Sequence, residues 1–221
     1  VKHTTPGYSG GETLAGAEVD VVDASILNFW QWAYSDLLDN VNRGTFAEWM
    51  VAKLLGVPLT EPQSTWQPWD ISTPEGVRIE VKTSAYVHQW TSGKGEKGEE
   101  PVAEPAKIVF GPLCSKVWLD EAQTKLADEL TYNADLYVFC LQKNPDPKTW
   151  DGLDLRQWEF YLLRKAAVEE HGTKTVALGT VSDLGGGPLT AAEFQHKVQN
   201  KIAELAGTPE VKARLKKKGM T

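Results

Sequence analysis

Cysteine is scarce in this chain, and a long apolar run is missing altogether. The two cysteines, Cys114 and Cys140, sit in apolar neighbourhoods with neither CxxC nor Cys/His spacing. That pattern excludes a disulfide scaffold and a zinc finger, and it reads as two reduced core thiols in a cytoplasmic protein. No stretch reaches the roughly 20 apolar residues that a membrane-spanning helix needs, so no membrane partner is expected. The opening VKHTTPGYSGG lacks the charged-then-apolar order of a secretory leader, and residues 1–15 read as a flexible lead-in. Metal-type histidine spacing is missing around His3, His171 and His196. Gly185, Gly186 and Gly187 have no Lys-Ser/Thr after them, which excludes a phosphate-binding loop and leaves a flexible break. No internal repeat is present. Cations are also in deficit, with a net charge of −7. An acidic balance argues against an undirected nucleic-acid coat protein, where phosphate neutralisation dominates affinity. It does not exclude a site whose carboxylates collect metal ions.

What remains is a soluble-type composition, 41% hydrophobic and 24% charged over 221 residues, enough for one substantial domain spanning 1–221. Helical spacing of Ile26, Leu27, Trp30, Ala33, Leu37 and Leu38 predicts a helix from Asp23, as N-cap, to Asn40. A second helix is predicted from about Thr45 to Leu55, stopping at Gly56 with Pro58 beyond. Strands are predicted at 66–71, at 77–90 after a TPEG turn, at 107–110, at 135–142, at 158–163 and at 173–181. DLYVFCLQ, residues 135–142, is an apolar run of the kind found in a strand covered on both faces. Helical patterns occupy Asp120 to Leu130, a short piece ending at His171, and Leu189 to Ala206. Residues 91–105 are rich in Gly, Lys, Glu and Pro and read as an exposed mobile loop. The basic run at 212–218 reads as a solvated end. Strands and helices alternate only in part, which predicts an α/β protein with a central mixed β-sheet flanked by helices.

The stretch WDISTPEGVRIEVKTSAYVHQW, residues 69–90, carries the chemistry. Side chains alternate along a strand, so Glu80, Lys82, Ser84, Tyr86 and His88 share one face, and Ile79, Val81, Thr83, Ala85 and Val87 the other. If the TPEG turn closes a hairpin, Asp70 comes beside Glu80. Two neighbouring carboxylates repel unless a cation lies between them. Mg²⁺ suits that position, since it takes one or two protein carboxylates and keeps its other places for water and substrate phosphate. The Val81 carbonyl is a further candidate ligand. Lys82 then lies close enough to orient a water and to stabilise negative charge on phosphorus. Glu48 is a third acid, on the apolar side of the second helix, where it would be costly without a partner.

Each of these residues also has a plainer reading. Thr45 and Glu48 have capping-box spacing, although Asn42 offers an earlier cap. Glu80 and Lys82 are open to reading as a same-face ion pair, and Asp70 as a turn starter. His88 reads as a surface histidine, and Trp90 as core or rim packing. Ser84 is a candidate for phosphate or water, and Lys94 and Lys97 for a phosphate backbone.

Asp70, nine residues, then Glu80-Val81-Lys82 resembles the PD-(D/E)xK motif of the restriction-endonuclease-like nucleases. FAEWMVAKLLG resembles that superfamily's first helix, and NADLYVFCL a later core strand. The resemblance covers about residues 45–142, and it departs in having Trp69 where the motif has proline. It implies an αβββαβ core with C-terminal additions and Mg²⁺-dependent cleavage of DNA, with Mn²⁺ able to substitute. Asp70 and Glu80 become metal ligands, Lys82 the catalytic lysine and Glu48 an auxiliary acid. Restriction-type cleavage, repair of damaged or branched DNA, and RNA cleavage all stay open, as does a homodimer. The rival expectation is an inactive nucleic-acid-binding or scaffold module on the same fold.

Overall fold

In this computed structural model the described residues are 7–14, 24–60, 62–63, 67–88, 107–120 and 124–217. Two helices come first, α1 (Ile26–Tyr34) and α2 (Asn40–Leu54). The strands β1 (Ile71–Ser72), β2 (Arg78–Ala85), β3 (Val109–Phe110), β4 (Leu136–Gln142) and β5 (Trp158–Arg164) follow. The chain then forms α3 (Lys165–His171), β6 (Val176–Ala177), α4 (Leu178–Gly185), α5 (Ala191–Ala206) and α6 (Pro209–Lys217). The main sheet runs β1-β2-β4-β5, and β3 pairs with β6 in a separate two-stranded sheet. β1 is antiparallel to β2, β2 parallel to β4, and β4 antiparallel to β5. The mixed sheet flanked by helices is therefore the expected α/β class.

The sheet is covered on both faces because β4 has no polar face to leave in water: all seven of its residues are buried. One face combines Ile79, Val81, Val138 and Phe160 with Met50 and Val51 of α2 and Phe194 and Val198 of α5. Phe160 stacks on Phe194 with ring centroids 4.7 Å apart. The other face combines Tyr137, Phe139 and Tyr161 with Phe110, Val168 and Val181. Among the described residues no helix is long and apolar enough to cross a membrane. Cys114 and Cys140 are both free thiols.

Several boundaries differ from the sequence expectation, each for a local reason. α2 begins at Asn40, five residues before the expected Thr45, because the Asp39 carboxylate accepts hydrogen bonds from the Val41 and Asn42 N–H groups at 2.9 and 3.0 Å. Thr45 is thus inside the helix, and the Thr45–Glu48 capping box does not form. α1 is capped by Ser25, and the expected cap Asp23 lies outside the described residues. The strand expected at 66–71 is reduced to Ile71–Ser72, and the one expected at 77–90 ends at Ala85.

No helix forms over the described part of 120–130. The Asp120 carboxylate accepts the N–H groups of Thr124 and Lys125, and Trp118 bridges Leu126. The strand expected over 173–181 is only Val176–Ala177. The chain turns into α4 at Leu178, which buries Val181 one helical turn on. The triple glycine is the end of that helix rather than a flexible break: Gly186 is left-handed at φ +83°, and the N–H groups of Gly186 and Gly187 both donate to the Ser182 carbonyl. The basic tail forms a helix, α6, which buries Val211 and keeps Lys212, Lys216 and Lys217 exposed to solvent. The lead-in, apart from 7–14, and the loop at 91–105 lie outside the described residues.

Candidate active site

β1 pairs with β2 over two residues only, Ile71 with Ile79 and Ser72 with Arg78. Beyond that the edge of β2 needs another partner for its backbone donors. Asp70 supplies it. Its own N–H donates to the Ile79 carbonyl at 3.0 Å, and its Oδ2 accepts the Val81 N–H at 2.7 Å. The side chain that ends the strand pairing is in this way fixed beside Glu80. Strand alternation puts Glu80 and Lys82 on one face, and Lys82 Nζ lies 2.5 Å from Glu80 Oε1. The hairpin expected from the TPEG turn therefore does bring positions 70, 80 and 82 together.

Glu48 approaches from α2, and its carboxylate accepts a hydrogen bond from the Gln63 side-chain amide. Burial, followed by repulsion from Asp70, pushes its pKa up to about 8. The same two causes raise Glu80 to about 7, and burial raises Asp70. Burial works against the charge on Lys82, but Glu80, Asp70 and Glu48 outweigh it and hold the ammonium above its ordinary range. Three acids thus feel one another and share a single lysine.

That imbalance bears on whether a divalent ion fits. Among the described residues no three His, Cys, Asp or Glu side chains form a ready-made metal cage. A magnesium-type ion does not need one. It takes one or two carboxylates and fills its remaining positions with water and phosphate. Asp70 and Glu80 are oxygen donors of that kind. With all three acids ionised and Lys82 protonated, the cluster carries a formal excess of two negative charges, which a divalent ion would neutralise.

Glu48 and Lys82 open into a cleft of about 440 Å³, which Asn40, Arg43, Ser84 and His88 also line. Val81 and Thr83 of β2 form part of its wall. Ser84 lines the cleft from β2, and His88 lines it from beyond the end of that strand, where its Nδ1 lies 3.2 Å from Asn40 Oδ1 of α2. His171 and His196 are exposed on α3 and α5. His3, Gln89, Trp90, Lys94 and Lys97 lie outside the described residues. Sequence reasoning missed Asn40, Arg43 and Lys107, all of which line the cleft. A signal was present: Asn40, Gly44 and Glu48 recur every four residues and so form one stripe along α2. It is visible only once the helix is started at Asn40.

A family model for bacteriophage T4 endonuclease IV matches residues 20–178, which include Glu48, Asp70, Glu80 and Lys82. No curated protein and no solved structure matches the chain. The match spans more than half of the sequence, and the chain belongs to the bacteriophage T4 endonuclease IV family, a family of nucleases.

Proposed function

We propose that this protein is a metal-dependent DNA endonuclease with a PD-(D/E)xK-type site. The observation that supports this reading most is the convergence of Asp70, Glu80 and Lys82 at the edge of β2. Asp70 and Glu80 would hold Mg²⁺, or Mn²⁺ in its place, with the Val81 carbonyl and Glu48 as further oxygen donors. When bound, the ion supplies Lewis acidity and neutralises charge at the phosphoryl group.

The chain's own residues then divide the remaining work. Lys82 presents a cation to the phosphoryl oxygens, whose negative charge grows as the attacking oxygen approaches phosphorus and the P–O bond to the leaving group breaks. Its ammonium also donates a hydrogen bond that orients the attacking water. Asp70 is held rigid by the Val81 N–H, so it does not have to reorganise on binding. Glu48, at the cleft wall, assists by accepting a hydrogen bond from water. Restriction-type and repair-type cleavage both draw on this chemistry.

The test is incubation of the purified protein with plasmid, linear and branched DNA in the presence of Mg²⁺ or Mn²⁺. Cleavage is expected, with loss of about 100-fold or more in rate for Lys82→Ala and for Glu80→Gln, the scale seen when one transition-state charge contact is removed. Cleavage that survives Lys82→Ala unchanged would remove the assignment. Absence of cleavage, together with DNA binding that ignores these substitutions, would favour an inactive binding module.

A further inference from the structure

Arg43 is 1% exposed, yet it borders the cleft beside the acid cluster. A buried guanidinium ordinarily faces a carboxylate. Among the described residues, none lies within ion-pair distance of Arg43. The nearest acid by electrostatic influence is Asp39, and its carboxylate is committed to capping α2. Arg43 Nη1 donates to the Leu38 carbonyl at 3.0 Å and the Leu37 carbonyl at 3.5 Å, and Nη2 donates to Asn40 Oδ1. Nη2 also lies 3.3 Å from His88 Nδ1. These contacts fix the group but bring no negative charge to it. Its Nε is buried without a hydrogen-bond partner among the described residues, and the hydroxyl of Thr83, on the same cleft wall, is in the same condition. Orphaned buried donors are rare in folded proteins and call for a physical reason. Lys107 adds a further cation to the same cleft, and it is exposed.

A buried cation with no ion-pair partner among the described residues, two orphaned donors and an exposed lysine around one cleft fit an anion. We infer that the end of the cleft bounded by Arg43, Thr83 and Lys107 is a subsite for a nucleic-acid backbone phosphate neighbouring the one that is cut. The inference rests on the endonuclease reading for the identity of its ligand, and on the cleft alone for its chemistry. Lys107 meets the phosphate directly. Arg43 supplies the fixed charge behind it, and opening of the wall by a small side-chain shift exposes Nε. The role is binding and positioning: the subsite sets which phosphate lies beside Lys82, and it takes no part in bond breaking.

The experiment measures binding of a fluorescein-labelled DNA oligonucleotide in Ca²⁺ across a salt series, for the full chain and for Arg43→Met, Lys107→Ala and the double variant. Each single variant is expected to weaken binding roughly 10-fold. Each is also expected to lower the magnitude of the salt slope by about 0.7 to 0.9, the loss of one phosphate contact. The double variant should lose little further slope, because both residues serve one phosphate. A merely structural arginine predicts the opposite signature, a changed Tm with an unchanged salt slope. Lys107→Ala carries the test if Arg43→Met does not fold. If the wild type cleaves DNA while both variants bind with the wild-type Kd and slope, the subsite is wrong and the nuclease reading stands. If the wild type neither binds nor cleaves DNA, thermal melting of the same proteins with and without inorganic pyrophosphate decides. A rise in Tm that is lost in both variants keeps the anion site and discards the nuclease, and no rise in any of them discards the subsite.

Discussion

Arg214 grips Asp135 with both terminal guanidinium nitrogens, Nη1 to Oδ2 at 2.6 Å and Nη2 to Oδ1 at 2.9 Å, and so ties α6 to the start of β4. The same Nη1 donates to the Gly76 carbonyl at 2.9 Å, in the turn between β1 and β2. Asp135 Oδ2 in turn accepts the Arg78 N–H at 2.8 Å, and the Arg78 guanidinium lies 3.6 Å from the ring centre of Trp69. Gly76 has φ +82°, and a Cβ there would come within 2.8 Å of Leu215. A helix beyond the family-matched stretch thereby packs on the turn of the hairpin that carries Asp70 and Glu80.

Removing that grip should loosen the hairpin before it unfolds the protein. Both side chains of the pair are mostly shielded, at 19% and 14% exposure, so the bond is stronger than a surface ion pair. Arg214→Gln is expected to cost about 2 kcal/mol, the scale of a charge-assisted hydrogen bond, read from urea denaturation. Hydrogen exchange at the Val81 amide should speed up in the same variant, because its acceptor Asp70 is held by the hairpin. An unchanged exchange rate at Val81 would show that α6 stabilises the fold without holding the site.

The same pair sets an acid-side stability slope. Burial works to raise the Asp135 pKa, but the hydrogen bonds from Arg214 and the Arg78 N–H outweigh it and hold the carboxyl below its ordinary range. A depressed folded-state pKa means that the unfolded chain takes up the proton first, so this contribution is complete above the unfolded value of about 3.9 and is lost as pH falls through the lower folded value. Wild type should therefore lose its stability advantage over Asp135→Asn as the pH falls from about 5 through the unfolded value of about 3.9 and on through the lower folded one. Taking the difference between the two proteins cancels the other titrating groups. A difference in denaturation midpoint that stays constant over that range would mean that Asp135 is not depressed.

How far the site was legible follows from which geometry sequence fixes rigidly. The period of two along a strand is exact enough that Glu80 and Lys82 had to share a face, and the TPEG turn left Asp70 little choice but to end beside them. β4 was equally plain, since six apolar residues in succession, Leu136 to Leu141, leave no solvent face. Glu48 was obscured by Thr45, because a cap is decided by whichever oxygen reaches the free N–H groups, and Asp39 reaches them first. Asp120 diverted a helical pattern by binding the backbone itself. α6 was hidden by its lysines: the two residues that anchor it, Val211 and Leu215, meet Gly76 far along the chain, a contact no local pattern announces. Arg43 was missed for a similar reason, since its burial depends on the fold around it.

Asp70 combines two roles that substitution can separate. Asp70→Asn keeps a side-chain oxygen to accept the Val81 N–H but removes the charge. Its Tm should stay close to wild type while DNA cleavage falls by about 100-fold or more, the scale expected for weakening a metal ligand. Asp70→Ala removes the acceptor as well and leaves the Val81 N–H at the strand edge unsatisfied, which costs about 1–3 kcal/mol. The comparison is made by thermal melting and by plasmid nicking on the same preparations. Equal melting of the two variants would mean that the 2.7 Å contact with Val81 contributes nothing to the fold.

A divalent ion should stabilise the protein through the same residues. Without one, Glu48, Asp70 and Glu80 repel each other and share only Lys82, and this repulsion adds to burial in raising the pKa of Glu48 and Glu80. An ion that binds the folded state alone adds RT ln(1 + [L]/Kd), about 2.7 kcal/mol at a hundredfold excess over Kd. Mn²⁺ at such a concentration is therefore expected to raise Tm by several degrees, since 1 kcal/mol moves the midpoint about 2–4 °C in a chain of this size. Glu80→Gln should abolish most of that rise. Its own apo protein should melt no lower than wild type, because the substitution also removes a carboxylate that repels its neighbours. A rise in Tm of equal size in wild type and in Glu80→Gln would place the ion elsewhere on the surface and leave the acid cluster without its metal.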